Sequence, residues 1–341
     1  MYLAASADAG DVNGLTNAGY ARLYAKSGTD WNVFQSINGT QSFGYFGYSL
    51  DLSHDGSMLA ISAEYGRVYM YELSSSSFLY ELLHTTDDIS AYEVSVSGDG
   101  MVVDVTSESS SIGAKIFERI GDVFQQRGTD ISGYGQYSGI ALNFDGSIVI
   151  VGDAYWDSDT ATNIGRAAVV QWRDGNEDGS IVWVQMGSDI TGDAAFDYLG
   201  DYGCVSITND GLTVALGAWG YDRDGLSQRG LVRVYNHDSI SDTWKQNGID
   251  LVGDNASDEF SKTALSPMEL ILLSEQAAEI TVIIIMSRFL QRKEITIKQW
   301  ETRLSVKQKE TGLDFLMEKV KYICTIPYCR HPQLQFRHHR H

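Results

Sequence analysis

Polar and apolar residues alternate along Tyr48-Ser49-Leu50-Asp51-Leu52-Ser53, the period-two signature of a half-buried strand. A turn, His54-Asp55-Gly56, hands the chain to a more continuously apolar run, Met58-Leu59-Ala60-Ile61-Ser62-Ala63. Asp-Gly supplies the positive φ that a tight hairpin connection needs, so the two runs predict a pair of antiparallel strands. Third and fourth strands are predicted at Arg67-Val68-Tyr69-Met70-Tyr71 and Phe78-Leu79-Tyr80-Glu81-Leu82-Leu83.

The same frame recurs. The polar-x-Asp-Gly turn is spelled four times, at Ser53-His54-Asp55-Gly56, Ser97-Gly98-Asp99-Gly100, Asn143-Phe144-Asp145-Gly146 and Thr208-Asn209-Asp210-Gly211, in steps of 44, 46 and 65 residues. A second marker, Gly128-Thr129-Asp130-Ile131-Ser132-Gly133, Gly187-Ser188-Asp189-Ile190-Thr191-Gly192 and Gly248-Ile249-Asp250-Leu251-Val252-Gly253, recurs at 59 and 61 residues, and Trp183 and Trp244 repeat at 61. These tryptophans are expected to pack between neighbouring units. Periods of this length with four strands per unit predict an all-β fold, a β-propeller of about five four-stranded blades. The chain opens in mid-repeat, with Tyr2 to Ala7 matching a second strand, and Phe260 to Ser266 matches a lone first strand. Either that strand closes the ring against the first blade, or the chain is a fragment of a larger propeller.

Phe46-Gly47, the Ser-x-Asp-Gly turns, Leu59-Ala60-Ile61-Ser62 and Gly230-Leu231-Val232-Arg233-Val234-Tyr235 together resemble the FG-GAP repeats of integrin-α-like β-propellers. The Phe-Gly pair becomes Leu199-Gly200 or Tyr202-Gly203 in the fifth repeat and Phe260-Ser261 at the end. WD40 repeats share the Ser-x-Asp-Gly hairpin and are the rival family, but no Trp-Asp dipeptide closes a third strand here. The resemblance implies an adhesion-type module that contacts a protein or glycan, an extracellular or cell-surface setting, and Ca²⁺ on Asp-rich loops. Matching residues are Asp8, Asp11 and Asn13; Asp153, Asp157 and Asp159; and Asp222 and Asp224, each group preceding a third strand. Clustered carboxylate and amide oxygens suit Ca²⁺, although Asp and Asn are also the ordinary residues of turns.

Residue 266 ends the repeats. Net charge is −24 over residues 1–262 and +4 over 263–341, and all three prolines lie in the second part. We therefore divide the chain into a propeller domain, 1–266, and a non-repeat basic tail, 267–341, expected to be helical or disordered. The helical expectation rests on the Lys, Glu, Gln and Leu content of 288–321. Such a break also matches a shifted reading frame or retained intron, which sequencing the transcript tests. Met268 to Met286 is interrupted by Glu275 and Glu279 and is too short and too charged for a membrane span. Cys324, Cys329 and the terminal histidines match no standard zinc spacing.

The strongly acidic repeat region argues against nucleic-acid binding, which needs basic surface. Cys204 alone in that region excludes a disulfide framework there. No nucleophile elbow, phosphate loop or metal-type His pair occurs, so the expected function is binding rather than catalysis. The alternatives are an intracellular WD40-like scaffold and a two-carboxylate glycoside hydrolase. Asn38-Gly39-Thr40 and Asn255-Ala256-Ser257 are N-glycosylation acceptors if the chain is secreted.

Overall fold

The computed structural model describes residues 1–63, 66–86, 91–107, 113–134, 138–175, 180–266, 270–274, 280–281, 303–307 and 314–318. Every named strand pair is antiparallel and the architecture is a β-propeller. Blade 1 holds β1 (Tyr2–Ala7), β2 (Tyr20–Ser27) and β3 (Asp30–Asn38). Blade 2 is the meander β4 (Leu50–Leu52), β5 (Met58–Ala63), β6 (Arg67–Leu73) and β7 (Tyr80–Thr86). Blade 3 repeats it with β8 (Ala91–Val96), β9 (Val102–Ser107), β10 (Ala114–Ile120) and β11 (Val123–Gln126).

Blade 4 comprises β12 (Ile140–Leu142), β13 (Ile148–Asp153), β14 (Arg166–Asp174) and β15 (Ile181–Gln185), with the short β16 (Ile190–Thr191) also pairing β14. Blade 5 matches it: β17 (Val205–Ile207), β18 (Thr213–Ala218), β19 (Leu231–Asp238), β20 (Thr243–Gln246) and β21 (Leu251–Val252), the last on β19. The continuous apolar character of the second strands now has a cause. β5, β9 and β13 are buried at every position because each is sandwiched between two neighbouring blades. The core is accordingly a series of inter-blade layers, such as Met58, Val68 and Met70 of blade 2 against Val94, Val103 and Phe117 of blade 3.

The repeated turn is a hydrogen-bonded device. Ser53, Ser97, Asn143 and Thr208 accept from the amides of Met58, Val102, Ile148 and Thr213, five residues on, at 2.9 to 3.1 Å. The turn aspartates Asp55, Asp99, Asp145 and Asp210 accept from the amide two residues on at 2.8 to 3.0 Å. Gly56, Gly100, Gly146 and Gly211 take φ between 64° and 73°, as the hairpin requires. Successive turns also bond to one another, His54 N to Gly98 O at 3.0 Å and Asp99 N to Phe144 O at 3.0 Å, closing that end of the axis.

The second marker is equally chemical. Its Asp130, Asp189 and Asp250 accept from Gln126, Gln185 and Gln246, four residues earlier, at 2.7 to 2.8 Å, and ion-pair with Lys115, Arg166 and Arg233 on the third strands. Trp183 and Trp244 pack between blades as expected: their indole N–H groups donate to Arg127 O and Met186 O of the preceding blade at 3.0 and 2.8 Å. Leu199-Gly200, not Tyr202-Gly203, takes the Phe46-Gly47 place, since Gly19 bridges Phe46 as Gly165 bridges Leu199. All three apolar members, Phe46, Leu199 and Phe260, are buried.

Of the two readings of the Phe260 to Ser266 strand, closure on the first blade is not the one seen: β22 (Lys262–Ser266) does not pair with β1 and opens a further sheet with β23 (Leu270–Ser274) and β24 (Ile280–Thr281), which runs past residue 266. The tail's described residues are strands rather than helix, with β25 (Arg303–Lys307) pairing β26 (Asp314–Glu318). The alternation Arg303-Leu304-Ser305-Val306-Lys307 explains this, because a period of two overrides helix-forming composition. The cysteines and histidines of the tail lie outside the described residues.

Candidate functional site

Inner strands of a propeller present one backbone edge to the central channel, where no strand covers their amides. Here side chains from the preceding blade cover them. Ser49 Oγ accepts from Val94 N at 3.3 Å and Asp51 Oδ2 from Val96 N at 2.8 Å. One blade on, Glu93 Oε2 accepts from Ile140 N and Ser95 Oγ from Leu142 N, both at 3.1 Å. Blade 4 has Gly139 and Ala141 at the matching positions and offers no side-chain acceptor there. Glu93 makes up part of the deficit, reaching past blade 4 to Gly203 N of blade 5 at 3.2 Å.

Burial therefore dominates these acids. Glu93 is pushed up to about 8 by desolvation, against the opposing pull of the Gly203 and Ile140 amides and of Lys262. Asp51 is pushed up to about 6, again by burial, against the Val96 and Leu52 amides. Asp104 on β9 lies beneath them, fully buried. No hydrogen bond of normal geometry reaches either of its oxygens, and burial with the nearby Asp51 and Glu93 holds it protonated well above the carboxylate range.

Above this buried layer three tyrosines converge. Tyr48, Tyr92 and Tyr202 come from blades 2, 3 and 5, with ring centroids 5.0, 5.3 and 6.2 Å apart. Tyr202 Oη donates to Tyr48 O at 3.3 Å, tying blade 5 to blade 2 across the axis. Lys262 Nζ lies 4.8 Å above the Tyr202 ring and donates to Tyr202 O. Asp201 is raised by burial despite Lys262 and the amide of Tyr202, which donates to it at 2.8 Å. Trp219 stacks on Tyr198 at 4.4 Å. The mouth is thus an aromatic surface rimmed by Asp201 and Lys262, at the end of the axis opposite the Asp-Gly turns.

The acidic loops expected to hold Ca²⁺ surround this mouth and share one design. Asp11 Oδ1 accepts from Asn17 N at 2.9 Å, Asp157 Oδ1 from Asn163 N at 2.6 Å, and Asp222 from Gln228 N, each six residues on. Asn13 and Asp224 sit at positive φ, 52° and 57°, as turn formers. Asp153 ion-pairs Arg166 at 3.4 Å and Asp224 ion-pairs Arg229 at 3.0 Å. Asp8 lies close enough to Tyr202 to act on its hydroxyl, and Asp159 is exposed. Among the described residues no three His, Cys, Asp or Glu side chains come together as a metal-holding group.

Sequence reasoning missed the mouth and the buried acids. Tyr48 and Tyr92 both lie seven residues before a turn aspartate, which is the signal that could have paired them. His237 lies near the end of β19, beside the turn that leads to β20. Its side chain is 7% accessible, hydrogen-bonded to Asp242 at 2.9 Å and packed on Trp244 at 4.9 Å, because β19 and β20 pair through those residues. It lines a cleft of about 410 Å³ with Arg173, Met186 and Asp210.

No protein-family model matches the chain, and no curated protein matches it. Among solved structures it is similar to a functionally unknown protein from Desulfotomaculum acetoxidans, with 16% identity, a TM-score of 0.51, and coverage of 78% of this chain and 76% of that one. A protein from Lactobacillus plantarum aligns at 15% identity and TM-score 0.45, covering 69% and 65%. A Bacteroides uniformis protein named as a candidate 6-phosphogluconolactonase aligns at 11% and 0.43, covering 75% and 83%. These likenesses concern the fold.

Proposed function

We propose that this chain is a non-enzymatic, FG-GAP-type binding propeller that contacts a protein or glycan ligand through its loop face. The observation that carries the reading is the convergence of Tyr48, Tyr92 and Tyr202 at the axis. Aromatic rings with a polar rim are the usual composition of a recognition surface. The conserved place of Phe46-Gly47, Leu199-Gly200 and Phe260-Ser261 between blades supports the FG-GAP reading over WD40. The acids nearest the mouth are otherwise engaged: Asp51 and Glu93 accept from backbone amides, and Asp104 lies below them.

A glycan array and a panel of extracellular-matrix proteins, probed with the full chain and with Tyr202→Ala, test this. Retained ligands should be lost or weakened at least tenfold in the variant while its melt stays cooperative. Binding indifferent to Tyr202→Ala and Tyr48→Ala, or turnover on a glycoside panel, would overturn it.

A further inference from the structure

The loop that leads towards an inner strand has the same backbone in three copies. Phe43 and Tyr45, Phe196 and Tyr198, and Ser257 and Glu259 take φ of 58° and 42°, 66° and 56°, and 62° and 47°. In each copy the first amide donates to the oxygen of Thr16, Thr162 or Ser227, and the second to that of Asn17, Asn163 or Gln228. Left-handed backbone is unfavourable for bulky side chains. Serine and glutamate satisfy the fold in the third copy, so the fold does not demand aromatic residues in the other two. Nor does core packing, since Phe43 and Phe196 are 49% and 52% exposed.

In the second copy the rings assemble into a shelf. Tyr198 lies parallel to Trp219, 7° between planes; Tyr155 meets Tyr198 edge-on at 5.4 Å; and Phe196 stands 6.2 Å from Tyr198. Polar groups hold the rim: Asn163 Nδ2 donates to Tyr198 Oη at 3.4 Å, and Asp201 accepts from Tyr202 N at 2.8 Å. Among the described residues, none of the exposed large aliphatic side chains comes from these loops. The shelf therefore offers flat apolar faces edged by hydrogen-bonding groups, with no greasy anchor pocket for a protein partner.

We propose that Tyr155, Phe196, Tyr198 and Trp219 form a subsite for a neutral saccharide. A pyranose has matching amphipathy, a C–H face to lie on a ring and hydroxyls to meet the amide and carboxylate rim. The net charge of −20 opposes sulfated, phosphorylated or uronic sugars. The inference rests on the loop face being a binding surface and specifies what part of it binds.

The test is calorimetric titration of the full chain with cello-, malto-, xylo-, chito- and laminari-oligosaccharides, with heparin and tetramethylammonium chloride as contrasting probes. At least one neutral oligosaccharide should bind, and Phe196→Ser, which copies the third loop, and Tyr155→Ala should each weaken it about tenfold, or about 1.4 kcal/mol. Their thermal midpoints should not fall. Binding of heparin or tetramethylammonium alone overturns the ligand class. Binding of neutral sugar lost in Tyr202→Ala but kept in Phe196→Ser removes this shelf and leaves the loop-face reading standing. A protein ligand with no sugar ligand does the same.

Discussion

Asp104 is the least supported side chain in the core, a buried acid without a hydrogen bond of normal geometry between Val103 and Val105. Asp104→Val should stabilise the protein by about 1–3 kcal/mol, because it removes an unpaired polar group and suits a strand. A raised denaturant midpoint for an unchanged slope checks this. Asp51 and Glu93 give a pH prediction. Their folded-state pKa values, about 6 and about 8, lie above ordinary carboxylate values. The folded state therefore holds more protons than the unfolded chain, and stability falls as pH rises. Glu93 should contribute across about pH 4.5 to 8 and Asp51 across about pH 4 to 6. Thermal midpoints should drop from pH 5 to pH 8, and Glu93→Gln should flatten the upper half of that slope. A midpoint rising with pH over that range would refute the burial argument. The sequence displayed these acids as the polar half of an alternating strand. It could not say that the polar face of an inner strand looks onto the channel, because that depends on how the blades are set around the axis.

Between elements, the tryptophan seams are the firmest. Trp244 reaches from β20 to Met186 O, and the Gly187 α-carbon lies so near its ring that a Cβ would stand 3.1 Å from it. Trp244→Ala should cost about 3–5 kcal/mol, read as a fall in thermal midpoint. The acidic loops are held differently, each closed by its own aspartate on an amide six residues on. Melts in calcium chloride and in EDTA should therefore give equal midpoints, and a rise of several degrees with calcium would support the metal reading. Hairpins and loops of this kind were legible because Asp-Gly and Asx chemistry is local. β22 was legible as a strand but its partner was not, since Phe260-Ser261-Lys262-Thr263 carries the same inner-strand pattern whichever strand it pairs.

At the scale of the molecule, the repeats made the fold legible in the sequence, while the tyrosine mouth escaped it. Tyr202 lies in a two-residue expansion of the Leu199-Gly200 segment, out of step with Tyr48 and Tyr92, so only the ring's curvature brings the three together. The same curvature joins Asp201 and Trp219 to the shelf around Tyr198.

Glu93 spans three blades, bonded to Ile140 of blade 4 and Gly203 of blade 5 from its own seat in blade 3. Mechanically it is a tie rod that adds to the Gly139 N–Gly200 O bond and the Trp244 seam between blades 4 and 5. When the molecule is pulled apart from opposite rims, Glu93→Gln should lower the force at which those blades part.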